Sequence, residues 1–165
     1  MEIGARFPDN SAPEFPWERS VSLNMQDIEG MARGVRLPLS DPSESVRFNA
    51  DDLVPAVAQQ YDSGEVLMMA WMNAEALRET LATGRVCYWS RSRSRLWRKG
   101  ERSGQIQRLV EVRLDCDGDT LLLLVDQQGP ACHTGRRSCF SARLEPDGLE
   151  IIADPLISPD QLYRR

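Results

Sequence analysis

Three cysteines, Cys116, Cys132 and Cys139, are spaced C-x15-C-x6-C, and each has polar neighbours. A thiol that only packs usually sits among apolar residues, so these three suit metal ligation better than a core. The close C-x2-C pairs of a zinc finger are missing. Three thiolates on zinc leave the fourth tetrahedral position to water, as in a catalytic site, and zinc brings the pKa of that water to about 7. Cys87, inside "VCYWS", is expected to pack. His133 is the only histidine and directly follows Cys132. It can be a fourth ligand, a proton carrier or a plain surface residue, and its adjacency to a candidate ligand favours proton transfer.

Around Cys116 the chain reads "DCDGD". Asp115, Asp117 and Asp119 would share one face of an extended segment, where they repel one another unless a cation lies between them. Their hard oxygens suit magnesium or calcium. The glycine and glutamate positions of an EF-hand are not met, and a solvated hairpin turn uses the same residue types. Upstream, Arg91, Arg93, Arg95, Arg98, Lys99, Arg102 and Arg108 face a single acid, Glu101, with Trp97 among them. Guanidinium forks match phosphate oxygens, and Trp97 could stack on a base. Arg136 and Arg137 add positive charge between two of the candidate ligands. The expected substrate is therefore anionic and phosphorylated.

Elements must bring these groups together. A chain of 165 residues, 41% hydrophobic and 27% charged, fits one soluble globular domain. A net charge of -5 argues against general nucleic-acid binding. The longest apolar runs are too short to span a bilayer, and the N-terminus does not read as a secretory signal, so the expected location is cytoplasmic. Residues 1–45, rich in proline, read as a poorly ordered arm in which "MQDIEGMARG" could form a short helix. Residues 46–142 read as the main domain, and 143–165 as a C-terminal extension.

Within the domain, "VPAVAQQYDSGEVLMMAWM" reads as two strands joined at Asp62-Ser63-Gly64. "NAEALRETLATG" reads as a helix capped by Asn73, with Leu77 and Leu81 on one face and Gly84 at its end. "RVCYWS" is a short strand, followed by a basic loop. "QIQRLVEVRLDC" alternates Ile106, Val110, Val112 and Leu114 as a half-buried strand, and "TLLLLVDQ" is expected to be buried on both faces. The fold expected is α+β: a mainly antiparallel sheet or half-barrel with one helix packed on it, paired as a dimer.

Three stretches, "SRSRSRLWRKGERSG", "RLDCDGDTLLLLV" and "GPACHTGRRSCF", together resemble the phosphoribosyl-AMP cyclohydrolase family of histidine biosynthesis, over about Val54 to Phe140. The resemblance implies an intertwined homodimer with zinc held by Cys116 of one subunit and Cys132 and Cys139 of the other. It implies magnesium at Asp115, Asp117 and Asp119. It also implies hydrolytic opening of the purine ring of 1-(5-phosphoribosyl)-AMP at N1–C6 by zinc-bound hydroxide. His133 is the expected proton carrier. Arg91, Arg93, Arg95, Trp97, Lys99, Ser103, Arg136 and Arg137 are the expected substrate contacts. Cys87 and Gln105 depart from the residues common in the family, and neither is expected to touch metal. A separate pyrophosphohydrolase domain is not expected. A relative acting on another purine or pterin-like ring is the alternative. A zinc-stabilised nucleic-acid module would need a closed four-ligand site.

Overall fold

The computed structural model describes residue 28 and residues 30–162; most of residues 1–45, including part of "MQDIEGMARG", lies outside that range or in exposed chain without regular elements up to residue 40. A 3-10 turn, Pro42–Ser45, leads into strands β1 (Val54–Gln60) and β2 (Val66–Met72). Helix α1 (Ala74–Thr83) follows, then β3 (Cys87–Ser90), β4 (Arg95–Arg98), β5 (Gln107–Leu114) and β6 (Leu121–Gln127). These form one six-stranded sheet in the order β4-β3-β2-β1-β6-β5. Every neighbouring pair is antiparallel except β1 and β6. The sheet curls until its far sides meet. Val86 N donates to Gln107 O at 3.1 Å and Leu109 N to Gly84 O at 2.8 Å, so the start of β5 reaches the segment just before β3. The α+β class and the half-barrel are as expected.

The curl encloses the core. Register places Ala56 and Ala58 opposite Leu121 and Leu123, and all four are buried. Tyr88, also fully buried, donates its hydroxyl to Gln107 Oε1 at 2.7 Å. Leu→Ala at such a site removes transfer energy and leaves a cavity, so Leu123→Ala is expected to destabilise the fold by about 2–5 kcal/mol. The shift in denaturation midpoint measures it, and a loss below about 1 kcal/mol would contradict the packing described.

Helix α1 begins and ends as its sequence dictates. Asn73 Oδ1 accepts from Ala76 N at 2.8 Å, and Gly84 sits at φ 67° as the left-handed cap. Its buried residues are Ala76, Leu77 and Thr80, whereas Leu81 is 41% exposed, so the expected Leu77–Leu81 face is corrected to a face one position away. Thr80 explains the shift: its hydroxyl accepts from Cys87 N at 2.9 Å and draws that side of the helix onto β3. Arg98 grips Glu79 with two bonds, at 2.6 and 2.7 Å, and ties α1 to β4.

Three other expectations change. The basic loop is a hairpin whose second arm is β4, turned at Ser94 with φ 47°. Strand β5 carries an irregularity between Leu109 and Glu111 that puts Val110 out to solvent and packs Leu109 in its place, while Val112 and Leu114 pack as expected. An extra residue in one strand inverts the alternation beyond it. Strand β6 is buried on one face and only half-buried at Leu122 and Leu124. The C-terminal extension adds a hairpin, β7 (Ala142–Glu145) with β8 (Gly148–Ile151), and a one-turn helix, α2 (Pro159–Leu162). Among the described residues no helix is long and apolar enough to cross a membrane.

Candidate active site

A cleft of about 770 Å³ opens beside the β3–β4 hairpin. From that hairpin and the loop after it come Arg93, Arg95, Trp97, Lys99 and Ser103; from the loop after β6 come Cys132, His133 and Cys139. Residues 40 positions apart in the chain thus share one wall-to-wall space, as the motifs require. Arg91 does not line it; its guanidinium lies 5.0 Å from the Trp71 ring in a shallower neighbouring groove. Trp97 leans on Tyr88 with ring centres 5.5 Å apart, which fixes its indole at the cleft edge.

Local backbone geometry explains how Lys99 reaches the cleft. Lys99 N donates to Val86 O at 3.0 Å, and Gly100 turns the chain at φ 81°. A Cβ at Gly100 would lie 2.5 Å from Ile106 N, so only glycine fits this turn. The Lys99 side chain is then buried, with its ammonium donating to Gln105 O at 3.2 Å. Burial lowers its pKa, and the nearby Cys139 and Cys132 thiols act against that fall. Gln105 itself closes against Gly129, where a Cβ would collide with its side-chain oxygen at 1.7 Å.

The loop carrying the thiols is a closed ring of backbone bonds. Ala131 N donates to Arg137 O at 3.0 Å, Cys132 N to Arg136 O at 3.1 Å, and Gly135 N to Cys132 O at 3.1 Å. Cys139 N donates to Leu67 O at 2.7 Å and anchors the loop to β2. Arg137 bolts it down from inside: it donates to Gln127 O at 3.0 Å, Gly129 O at 2.9 Å and Gln60 Oε1 at 2.7 Å, and meets Glu65 at 3.2 Å. Arg136 donates from Nε to Ala153 O at 2.8 Å. Neither arginine lines the cleft. Sequence reasoning placed both at a substrate phosphate, but in this chain their hydrogen bonds hold the loop.

Cys132 and Cys139 behave as a coupled pair. Burial alone would raise the Cys132 thiol, but the Thr134 hydroxyl and amide, the Cys139 thiol and Arg136 together bring its pKa below the ordinary value. The Thr134 hydroxyl donates to Cys132 Sγ at 3.1 Å. Cys139 goes the other way: burial first, then the charge of Cys132, pushes it up to about 12. Although the Cys139 residue is exposed overall, its sulfur is crowded, and the crowding of that atom governs its ionisation. Two adjacent thiols make a soft donor pair suited to zinc. Cys87, by contrast, is fully buried, and burial pushes its thiol up to about 11, as suits a packing residue. His133 is exposed at the cleft, with Nδ1 4.0 Å from Cys132 Sγ.

Cys116 lies elsewhere. It belongs to the β5–β6 turn, at the opposite end of β6 from Cys132. Strand β6 alone spans about 20 Å at ~3.3 Å per residue, so one chain cannot close the three-cysteine set. Accordingly, no group of three or more His, Cys, Asp or Glu side chains among the described residues could hold a metal ion.

The acidic segment around Cys116 is a tight turn, not the extended face expected, with Gly118 at φ 74°. Asp115 Oδ1 accepts from Asp119 N at 2.9 Å and Thr120 N at 3.1 Å, and Asp119 meets Arg47 at 3.2 Å. Among the described residues, the hydrogen bond to the Asp117 carboxylate comes from the Cys116 thiol, at 3.8 Å. The turn therefore uses part of its carboxylate capacity for its own shape and keeps the rest.

Sequence reading missed the apolar part of the cleft: Met68 and Leu96 from the strands, and Leu162 from α2. Met68 lies in a strand that the sequence showed and was open to inference, whereas Leu96 lies in β4, inside the segment read as a basic loop. Nothing in the last twenty residues marked Leu162.

A curled α+β sheet thus carries a basic, thiol-lined cleft along one side. The family model described as phosphoribosyl-AMP cyclohydrolase matches residues 68–141. A phosphoribosyl-AMP cyclohydrolase of Alkalilimnicola ehrlichii is 68% identical over 140 residues, covering 85% of this chain and 99% of that protein. Those of Chromohalobacter salexigens and Hydrogenovibrio crunogenus are 62% and 53% identical, covering 87% and 88% of this chain and 98% and 99% of theirs. The chain belongs to the phosphoribosyl-AMP cyclohydrolase family.

Proposed function

We propose that this protein opens the purine ring of 1-(5-phosphoribosyl)-AMP by hydrolysis at N1–C6, in the cytoplasm, as a step of histidine biosynthesis. One observation carries the reading beyond family membership: two separate motifs, the basic hairpin and the Cys-His loop, line the same cleft. Water adds at C6, the N1–C6 bond breaks, and a proton is delivered to N1. The ribosyl group on N1 makes C6 electron-poor, so addition there is the favoured path.

Arg93, Arg95 and Lys99 bind the phosphates, with Ser103 as a further donor. Trp97 presents a flat apolar edge to the ring. His133, exposed beside Cys132, moves the proton between the incoming water and N1. Cys132 and Cys139, with Cys116 from a second copy, would hold zinc, which when bound acidifies a water for attack. Asp115, Asp117 and Asp119 do not by themselves form a three-carboxylate metal site within one chain, so a magnesium ion there would need further donors from the substrate or a second copy; Arg47 supplies part of the compensating charge in the chain alone. The homodimer this requires is supported by the outer sheet face, where Val57, Met69 and Leu122 lie in register and are incompletely covered. Mass spectrometry of purified protein incubated with phosphoribosyl-AMP is expected to show a product one water heavier, and unchanged substrate would contradict the assignment.

A further inference from the structure

The last twenty residues do more than trail from the sheet. Residues 153–157 run as a strap against the Cys132–Cys139 loop. Leu156 N donates to Gly135 O at 2.8 Å, Ile157 N reaches the same oxygen at 3.5 Å, and Arg136 holds Ala153 O. The two contacts to Gly135 are backbone to backbone. Gly135 has φ 80°, and a Cβ there would lie 1.9 Å from Ile157 O. Only glycine at this position allows the strap to lie this close.

After residue 157, Ser158 precedes α2, and Leu162 N donates to Ser158 O at 3.2 Å. That turn folds Leu162 into the cleft wall beside Lys99, Cys132 and Cys139. Leu162 is 5% exposed, whereas Leu156, equally apolar and six residues earlier, is 60% exposed. Burial at this end of the chain is thus selective for the one side chain that faces the cleft. The cleft is otherwise rich in charge, and a heterocycle needs apolar contact as well as anion donors.

We infer that the C-terminal strap, residues 153–162, is a working wall of the active site: its backbone holds the thiol loop in place, and Leu162 is a specificity-determining residue that packs on the bound nucleotide. This rests on the function proposed above for its substrate, but not for its geometry. Leu162→Ala removes the apolar contact and leaves the charged donors. KM for phosphoribosyl-AMP is expected to rise about tenfold with kcat within about threefold, the size of effect a lost apolar contact has on specificity. Leu162→Met should restore KM. An unchanged KM in folded Leu162→Ala protein overturns the role of Leu162.

A second arm reads the strap without substrate. In metal-stripped full-length protein, the rate of Cys132 labelling by N-ethylmaleimide is compared with that of Cys116, which is exposed and serves as internal reference. Leu156→Pro, which removes the donor to Gly135 O and leaves the charge beside Cys132 unchanged, and Leu162→Ala should each speed Cys132 labelling about fivefold, because local opening sets access to a buried thiol. Equal rates in both variants and the parent overturn the strap. If the parent fails to turn over phosphoribosyl-AMP, the functional reading falls and the labelling rates alone decide this one.

Discussion

An equal mixture of Cys116→Ser and Cys132→Ser chains should recover about a quarter of the parent turnover, although each variant alone is inactive. The figure follows from symmetry. Random exchange makes half the dimers mixed, and in each mixed dimer one site draws Cys116 from the Cys132→Ser chain and Cys132 from the Cys116→Ser chain. The other site has lost both. The physical basis is the position of β6: it separates the turn bearing Cys116 from the loop bearing Cys132 and Cys139, so the proposed set would have to close between chains. Turnover after unfolding and refolding the mixture measures this. No recovery would mean that each chain builds its site alone, against the placement of these residues.

His133→Ala should lower kcat by about 10²- to 10⁴-fold, the usual worth of a positioned proton carrier, with zinc still bound. His133 lies on the cleft with Nδ1 4.0 Å from Cys132 Sγ, too long for a firm hydrogen bond, and no other histidine exists in the chain to replace it. Turnover measured together with zinc content separates the possibilities. Loss of zinc would make His133 a ligand. Unchanged turnover would make it an ordinary surface residue.

Local features were legible in the sequence because local chemistry sets them. The Asp62-Ser63-Gly64 turn, the Asn73 cap and the Gly84 stop each depend on residues within a few positions, and each forms where the sequence places it. The thiol and basic motifs were legible because residue type limits their chemistry. Features that depend on distant parts of the chain were not. The parallel pairing of β1 with β6 joins segments some sixty residues apart, and no local signal announces it. The irregularity at Val110 is fixed by register against β6, not by the composition of β5. Arg137 looked like a phosphate ligand because its guanidinium could serve as one; its actual partners, Gln60, Glu65, Gln127 and Gly129, come from other elements. Leu162 is the clearest case, since its value lies wholly in where a turn of helix delivers it.

The account rests on the metal that Cys116, Cys132 and Cys139 would share, and turnover of phosphoribosyl-AMP with counted zinc tests it most directly. Ring opening, followed by the change in absorbance, should vanish when chelator strips the protein and return as zinc is restored to one ion per chain. Full turnover by protein shown by elemental analysis to contain no zinc would contradict it.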